Sequence, residues 1–82
     1  MRAIDKIRAQ MHAAPTNVRY ADLARVCAFY FGAPRRHGGS HAVYKTPWPG
    51  DPRVNIQDDK GKAKAYQVRQ VLHAIEKLEA GK

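Results

Sequence analysis

Arg35-Arg36-His37-Gly38-Gly39-Ser40-His41-Ala42-Val43-Tyr44-Lys45 decides how the chain is read. Gly38-Gly39 can take φ > 0 without steric penalty, as a two-residue hairpin turn requires. The flanking stretches carry Arg, His, Val, Tyr and Lys and suit two antiparallel strands near 34–37 and 40–46. With Gly38-Gly39 as the turn, His37 faces Ser40 and Arg36 faces His41. Directly opposed side chains share one face of a sheet. A guanidinium and an imidazole side by side are a usable start for handling phosphate, although register decides whether they meet.

Outward from the hairpin the chain is punctuated clearly. Ile4, Ile7 and Met11 mark a helix over residues 3–13, which Pro15 ends. A second helix covers about Tyr20 to Phe31, with Asp22 in its first turn and Leu23, Val26, Cys27 and Tyr30 on its apolar stripe. Gly32 fits the position just past its end, and Pro34 forbids continuation. After the hairpin, the prolines of Thr46–Pro52 require a loop. Arg53-Val54-Asn55-Ile56-Gln57 alternates as a third strand, and Asp58 to Lys64 reads as a charged loop containing Gly61. A last helix runs from about Ala65 to Glu79, with Val68, Val71, Leu72, Ile75 and Leu78 on one face. The order α-α-β-β-β-α predicts an α+β domain, a three-stranded antiparallel sheet with helices packed on one face.

Eighty-two residues make a single domain, 1–82, with a small core. The chain has no apolar run of about 18 residues or more and no apolar segment behind its basic start, so neither a membrane span nor a signal peptide is expected. Cys27 is the one cysteine, excludes an internal disulfide, and reads as a buried small hydrophobe. No residues have metal-ligand spacing, and the expected setting is the cytoplasm. Fifteen Lys and Arg against seven Asp and Glu give +8, a balance that favours a polyanionic partner, nucleic acid foremost. Between residues 34 and 64 the excess is carried by Arg35, Arg36, Lys45, Arg53, Lys60, Lys62 and Lys64.

Gly39-Ser40-His41-Ala42-Val43-Tyr44 resembles the Gly-Ser-His-x-x-aromatic signature of HicA-type toxins of bacterial toxin–antitoxin systems, and Lys64–Leu72 resembles the segment opening their last helix. The resemblance covers residues 20–79, leaving 1–19 as an N-terminal helical extension that the smallest members lack. It implies a fold like a double-stranded-RNA-binding domain. It further implies a metal-independent ribonuclease acting on messenger RNA, without a cofactor, held inactive by a HicB-type antitoxin. By position the family's catalytic histidine falls on His41. The Trp48 loop is longer and richer in proline than usual for the family.

Cleaving RNA needs a base for the 2′-hydroxyl, a cation for charge growing on phosphorus, and an acid for the departing 5′-oxygen. An imidazole, with an ordinary pKa of about 6.5, serves as either base or acid. His41 is therefore the catalytic candidate and Arg36 its electrostatic partner, since a guanidinium matches phosphate oxygens with a bidentate fork. Lys60, Lys62 and Lys64 suit RNA-backbone contacts at the start of the last helix. Lys45, Arg35 and Ser40 complete the candidate RNA contacts. Tyr44 and Trp48 could stack on bases or belong to the core and the proline loop. His12 and His73 read as surface residues. A non-catalytic RNA-binding module is the alternative reading, and an interaction protein for an acidic partner is a third.

Overall fold

A computed structural model describes residues 2–38, 41–48 and 53–81, and for 36–38 the backbone alone. Its elements are α1 (Ala3–Ala13), α2 (Tyr20–Phe31), β1 (Arg36–Gly38), β2 (His41–Lys45), β3 (Arg53–Asp59), β4 (Lys62–Ala63) and α3 (Ala65–Ala80). The three expected helices and three expected strands are present. The strands form an antiparallel meander in the order β1-β2-β3-β4. Gly32 closes α2 with φ 86, a left-handed conformation that suits glycine.

Alternation in the middle strands builds the core. Ala42 and Tyr44 of β2 and Val54 and Ile56 of β3 are buried on one face. Against them lie Leu23, Val26 and Cys27 of α2 and Val68, Val71 and Ile75 of α3. The opposite face, carrying His41, Val43, Lys45, Arg53, Asn55 and Gln57, is exposed or half-buried. This one-sided burial is the usual economy of an antiparallel sheet.

The N-terminal helix is part of this core. Ile7 and Met11 are buried with the residues of α2 and α3. At the surface the Arg8 guanidinium donates to both carboxylate oxygens of Glu79 on α3 and to the Tyr30 hydroxyl on α2. Asp5 accepts hydrogen bonds from the backbone and side chain of Arg2, which hold its carboxyl below the ordinary range.

Two sequence expectations are corrected. First, the segment Asp58–Lys64 is not a loop throughout, because it contains the second half of a tight hairpin. Asp59 pairs with Lys62, and the intervening Lys60 and Gly61 have φ 54 and 87. Two successive positive φ values are what a two-residue type I′ turn needs. Asp58 Oδ1 accepts the Gly61 N–H at 2.6 Å. So short a strand as β4 persists because the chain before α2 also bonds it: the Ala63 N–H donates to the Val18 carbonyl at 2.9 Å, and the Tyr20 N–H to the Gly61 carbonyl at 3.0 Å.

The second correction is the hairpin register. Gly38 pairs with His41, His37 with Ala42, and Arg36 with Val43. Arg36 therefore does not oppose His41, nor His37 Ser40. Gly38 stays in the ladder, and the positions between the paired residues, 39 and 40, lie outside the described residues. Gly-Gly and Gly-Ser are both acceptable two-residue turns, so local sequence leaves the phase open. The register is settled instead by burial of Ala42 and Tyr44, and by the Arg35 N–H, which donates to the Val43 carbonyl at 2.7 Å.

Candidate nucleic-acid interface

His41 is the first residue of β2 and is exposed on the open face of the sheet. Its neighbours across the ladder are Gly38 of β1 and Gln57 of β3. Glycine has no side chain, so nothing at that cross-strand position covers the imidazole. Because β3 runs on from Gln57 to Asp59, the turn at Lys60-Gly61 and the start of α3 lie toward the end of the sheet that carries His41. Lys60 and Lys62 are exposed and Lys64 is half-buried.

Lys64 is the N-cap residue of α3, with no side-chain cap and no acidic residue in the first turn. Its carbonyl accepts the Gln67 and Val68 N–H groups, both at 3.0 Å. The positive end of the helix dipole is thus left next to lysines. With the hairpin bonded to Val18 and Tyr20, these lysines project from ordered backbone.

Lys45, the last residue of β2, lies directly opposite Arg53. It stands four residues along the strand from His41, about 13 Å at 3.3 Å per residue. Arg35 is exposed at the foot of β1. The predicted residues therefore fall into two groups: His41 with the lysine hairpin at one end of the sheet, and Lys45 with Arg35 toward the other. Ser40 lies outside the described residues, and for Arg36 only the backbone position opposite Val43 is described.

The aromatic candidates separate as well. Tyr44 is core: it is 3% exposed, and its hydroxyl donates to the Ala24 carbonyl at 3.4 Å. Burial pushes its pKa up to about 12. Trp48 is half-buried against the core, with the Lys77 ammonium 4.6 Å from its ring centroid. Cys27 is fully buried, and its thiol is pushed up to about 12 by that burial, so it is a packing residue and not a thiolate nucleophile. His12 lies on the surface 4.0 Å from Glu76. Among the described residues no group of His, Cys, Asp or Glu could hold a metal ion, and no helix is long and apolar enough to cross a membrane.

A groove of about 520 Å³ between β3 and α3 has no counterpart in the sequence reading. Arg53, Asn55 and Trp48 line one side, and Tyr66, Arg69, His73 and Lys77 the other. Gln67 was also missed. It is 5% exposed and caps β3 from the helix, its Oε1 accepting the Gln57 N–H at 2.8 Å. The available signal was its place beside Val68 and Val71 on the buried stripe of α3. Compared with family models, curated proteins and solved structures, the chain matches none.

Proposed function

We propose that this chain is a HicA-like ribonuclease that cuts messenger RNA in the cytoplasm, with His41 as its proton-transfer group and a HicB-type antitoxin as its partner. The observation that carries the proposal is the exposed imidazole at the first position of β2, at the sheet end where the Lys60–Lys64 hairpin and the start of α3 lie. In this reading the lysines and the helix N-terminus hold the RNA backbone. His41 takes the 2′-hydroxyl proton or supplies one to the leaving 5′-oxygen. The α2-β1-β2-β3-α3 order, with α1 and the short β4 added, supports the double-stranded-RNA-binding-like arrangement that the resemblance implies. The test is RNA cleavage in the presence of a chelator by the parent and by a His41→Ala variant whose circular dichroism is unchanged. Cleavage by the parent alone is expected; equal cleavage by both would overturn the assignment of His41.

The corrected register favours one second reading, an RNA-binding module without chemistry. With Val43 and not His41 opposite Arg36, no directly opposed guanidinium–imidazole pair is available. That module would bind RNA without cutting it. Three lysine contacts to a single strand would give a log–log salt slope of about −2.

A further inference from the structure

The link between α1 and α2 meets β4 in a bridge whose geometry the backbone bonds fix. Arg19 pairs with Lys62 in antiparallel sense. The bonds that hold the bridge belong to their neighbours: the Ala63 N–H donates to the Val18 carbonyl, and the Tyr20 N–H to the Gly61 carbonyl. Arg19 and Lys62 are therefore a non-hydrogen-bonded pair, the closer of the two antiparallel arrangements, with Cα atoms about 4.5 Å apart. Side chains so opposed leave the backbone on one face together. The adjoining residues decide which face. Val18 is 2% and Ala63 6% exposed, both in the core, so alternation sends Arg19 and Lys62 outward. Both are exposed.

Two cations are thus held side by side on ordered backbone. The carboxylates that frame them are Asp59, opposite Lys62 on the β3 side of β4, and Asp22 in the first turn of α2. Among the described residues neither carboxylate closes an ion pair with Arg19 or Lys62. Lys64 follows two residues after Lys62 in extended backbone, with φ −75 and ψ 134, and falls on the same outward side.

We propose that Arg19 and Lys62 together seat one backbone phosphate of a bound RNA strand, with the next phosphate at Lys64 and the start of α3. The inference rests on the reading of the chain as an RNA-binding ribonuclease, and adds to that interface the link between α1 and α2. The guanidinium supplies a planar fork for two phosphate oxygens, and the ammonium a point charge beside it. A single carboxylate would be satisfied by the fork alone. What favours a nucleic-acid strand is the second seat at Lys64, two residues or about 7 Å farther along, a spacing comparable to that of successive phosphates.

The probe is a 2′-O-methyl oligouridylate, whose backbone carries the charge of RNA but has no 2′-hydroxyl to react. Its affinity is measured across salt concentrations for the parent, Arg19→Gln, Lys62→Gln and the double variant, each checked for folding by circular dichroism. Either single change should weaken binding at least about threefold, because a shared phosphate loses one of its two cations. The double variant should lower the log–log salt slope by about 0.7, the share of a single phosphate. A fall of about 1.4 would put the two residues on separate phosphates and overturn the shared seat. An unchanged slope would overturn the site altogether. Arg19→Lys keeps the charge and should keep the slope, while losing the affinity that the fork supplies. A polyglutamate peptide that bound more tightly than the oligonucleotide, and lost that advantage in the double variant, would also overturn the proposal, assigning the pair to an acidic protein. Binding of the probe without cutting of unmodified RNA would defeat the ribonuclease reading and leave this site standing, whereas no binding by the parent would defeat the site.

Discussion

The Lys60-Gly61 turn allows stability and RNA binding to be moved in opposite directions by one substitution. Lys60 has φ 54, and a left-handed conformation costs a residue with a Cβ about 1–2 kcal/mol. Asparagine adopts it more readily, so Lys60→Asn should recover about 0.5 kcal/mol. In a chain of 82 residues that raises Tm by about 2–4 °C. The same change removes a cation from the proposed RNA contacts and should lower the salt slope of RNA binding by about 0.7. Gly61 is the control. It has φ 87, and a Cβ built on it meets no atom within 4 Å, so Gly61→Ala costs only backbone strain. About 1–2 kcal/mol is expected, a fall in Tm of about 4–8 °C per kcal/mol, with RNA contacts left in place.

Thermal melts by circular dichroism and RNA titrations at several salt concentrations check both arms. A Gly61→Ala variant that melts with the parent would refute the turn assignment. A Lys60→Asn variant with an unchanged salt slope would remove Lys60 from the RNA-binding set. Because Gly61 also accepts from Tyr20, a weakened turn should loosen the start of α2, readable as faster exchange of the Tyr20 amide.

Two further predictions concern the core. Cys27 and Tyr44 are both held protonated by burial with pKa values of about 12, above the ordinary 9.0 and 10.0. Their contribution is complete below the unfolded values and is lost as pH rises from about 9 toward 12, at up to about 1.4 kcal/mol per pH unit for Cys27. Urea midpoints across that range should fall, and less steeply for Cys27→Ala; identical slopes would show that Cys27 is not the titrating group. Ile56 is fully buried at the centre of β3, so Ile56→Val should cost about 1 kcal/mol and Ile56→Ala about 2–5 kcal/mol by urea denaturation. An unchanged midpoint would place Ile56 outside the core.

The helices were legible because each carries a 3.6-residue apolar period between strong stops. Pro15, Gly32 and Pro34 end α1 and α2 without reference to the rest of the chain. The middle strands were legible because Val54 and Ile56 alternate with polar residues, and so was the burial of Cys27. The hairpin phase was not, since Gly38, Gly39 and Ser40 permit more than one turn and tertiary burial chooses between them. β4 was hidden for a different reason. Its two residues carry no pattern, and they are held by the Ala63 bond to Val18 and the bridge between Lys62 and Arg19, far away in sequence. The β3–α3 groove was out of reach because it depends on where α3 packs beside β3, which no pattern within β3 reports; the direction of the β3 backbone groups is another matter.

That direction follows from the core. In a strand, side-chain face and backbone-group direction both reverse at every residue, so fixing one fixes the other. Val54 and Ile56 put their side chains into the core and their backbone bonds toward β2. Asn55 between them must then have both an exposed side chain and an edge-facing amide. Any sequence that keeps Val54 and Ile56 buried in this register turns the Asn55 backbone groups toward the outer edge. Folds commonly blunt such edges with short strands, covering elements or charge, because an open edge invites pairing with another chain. Here β4 and Gln67 cover β3 from Gln57 onward. Beside Asn55 the groove is lined on its far side by α3, with Arg69 and Lys77 exposed along it.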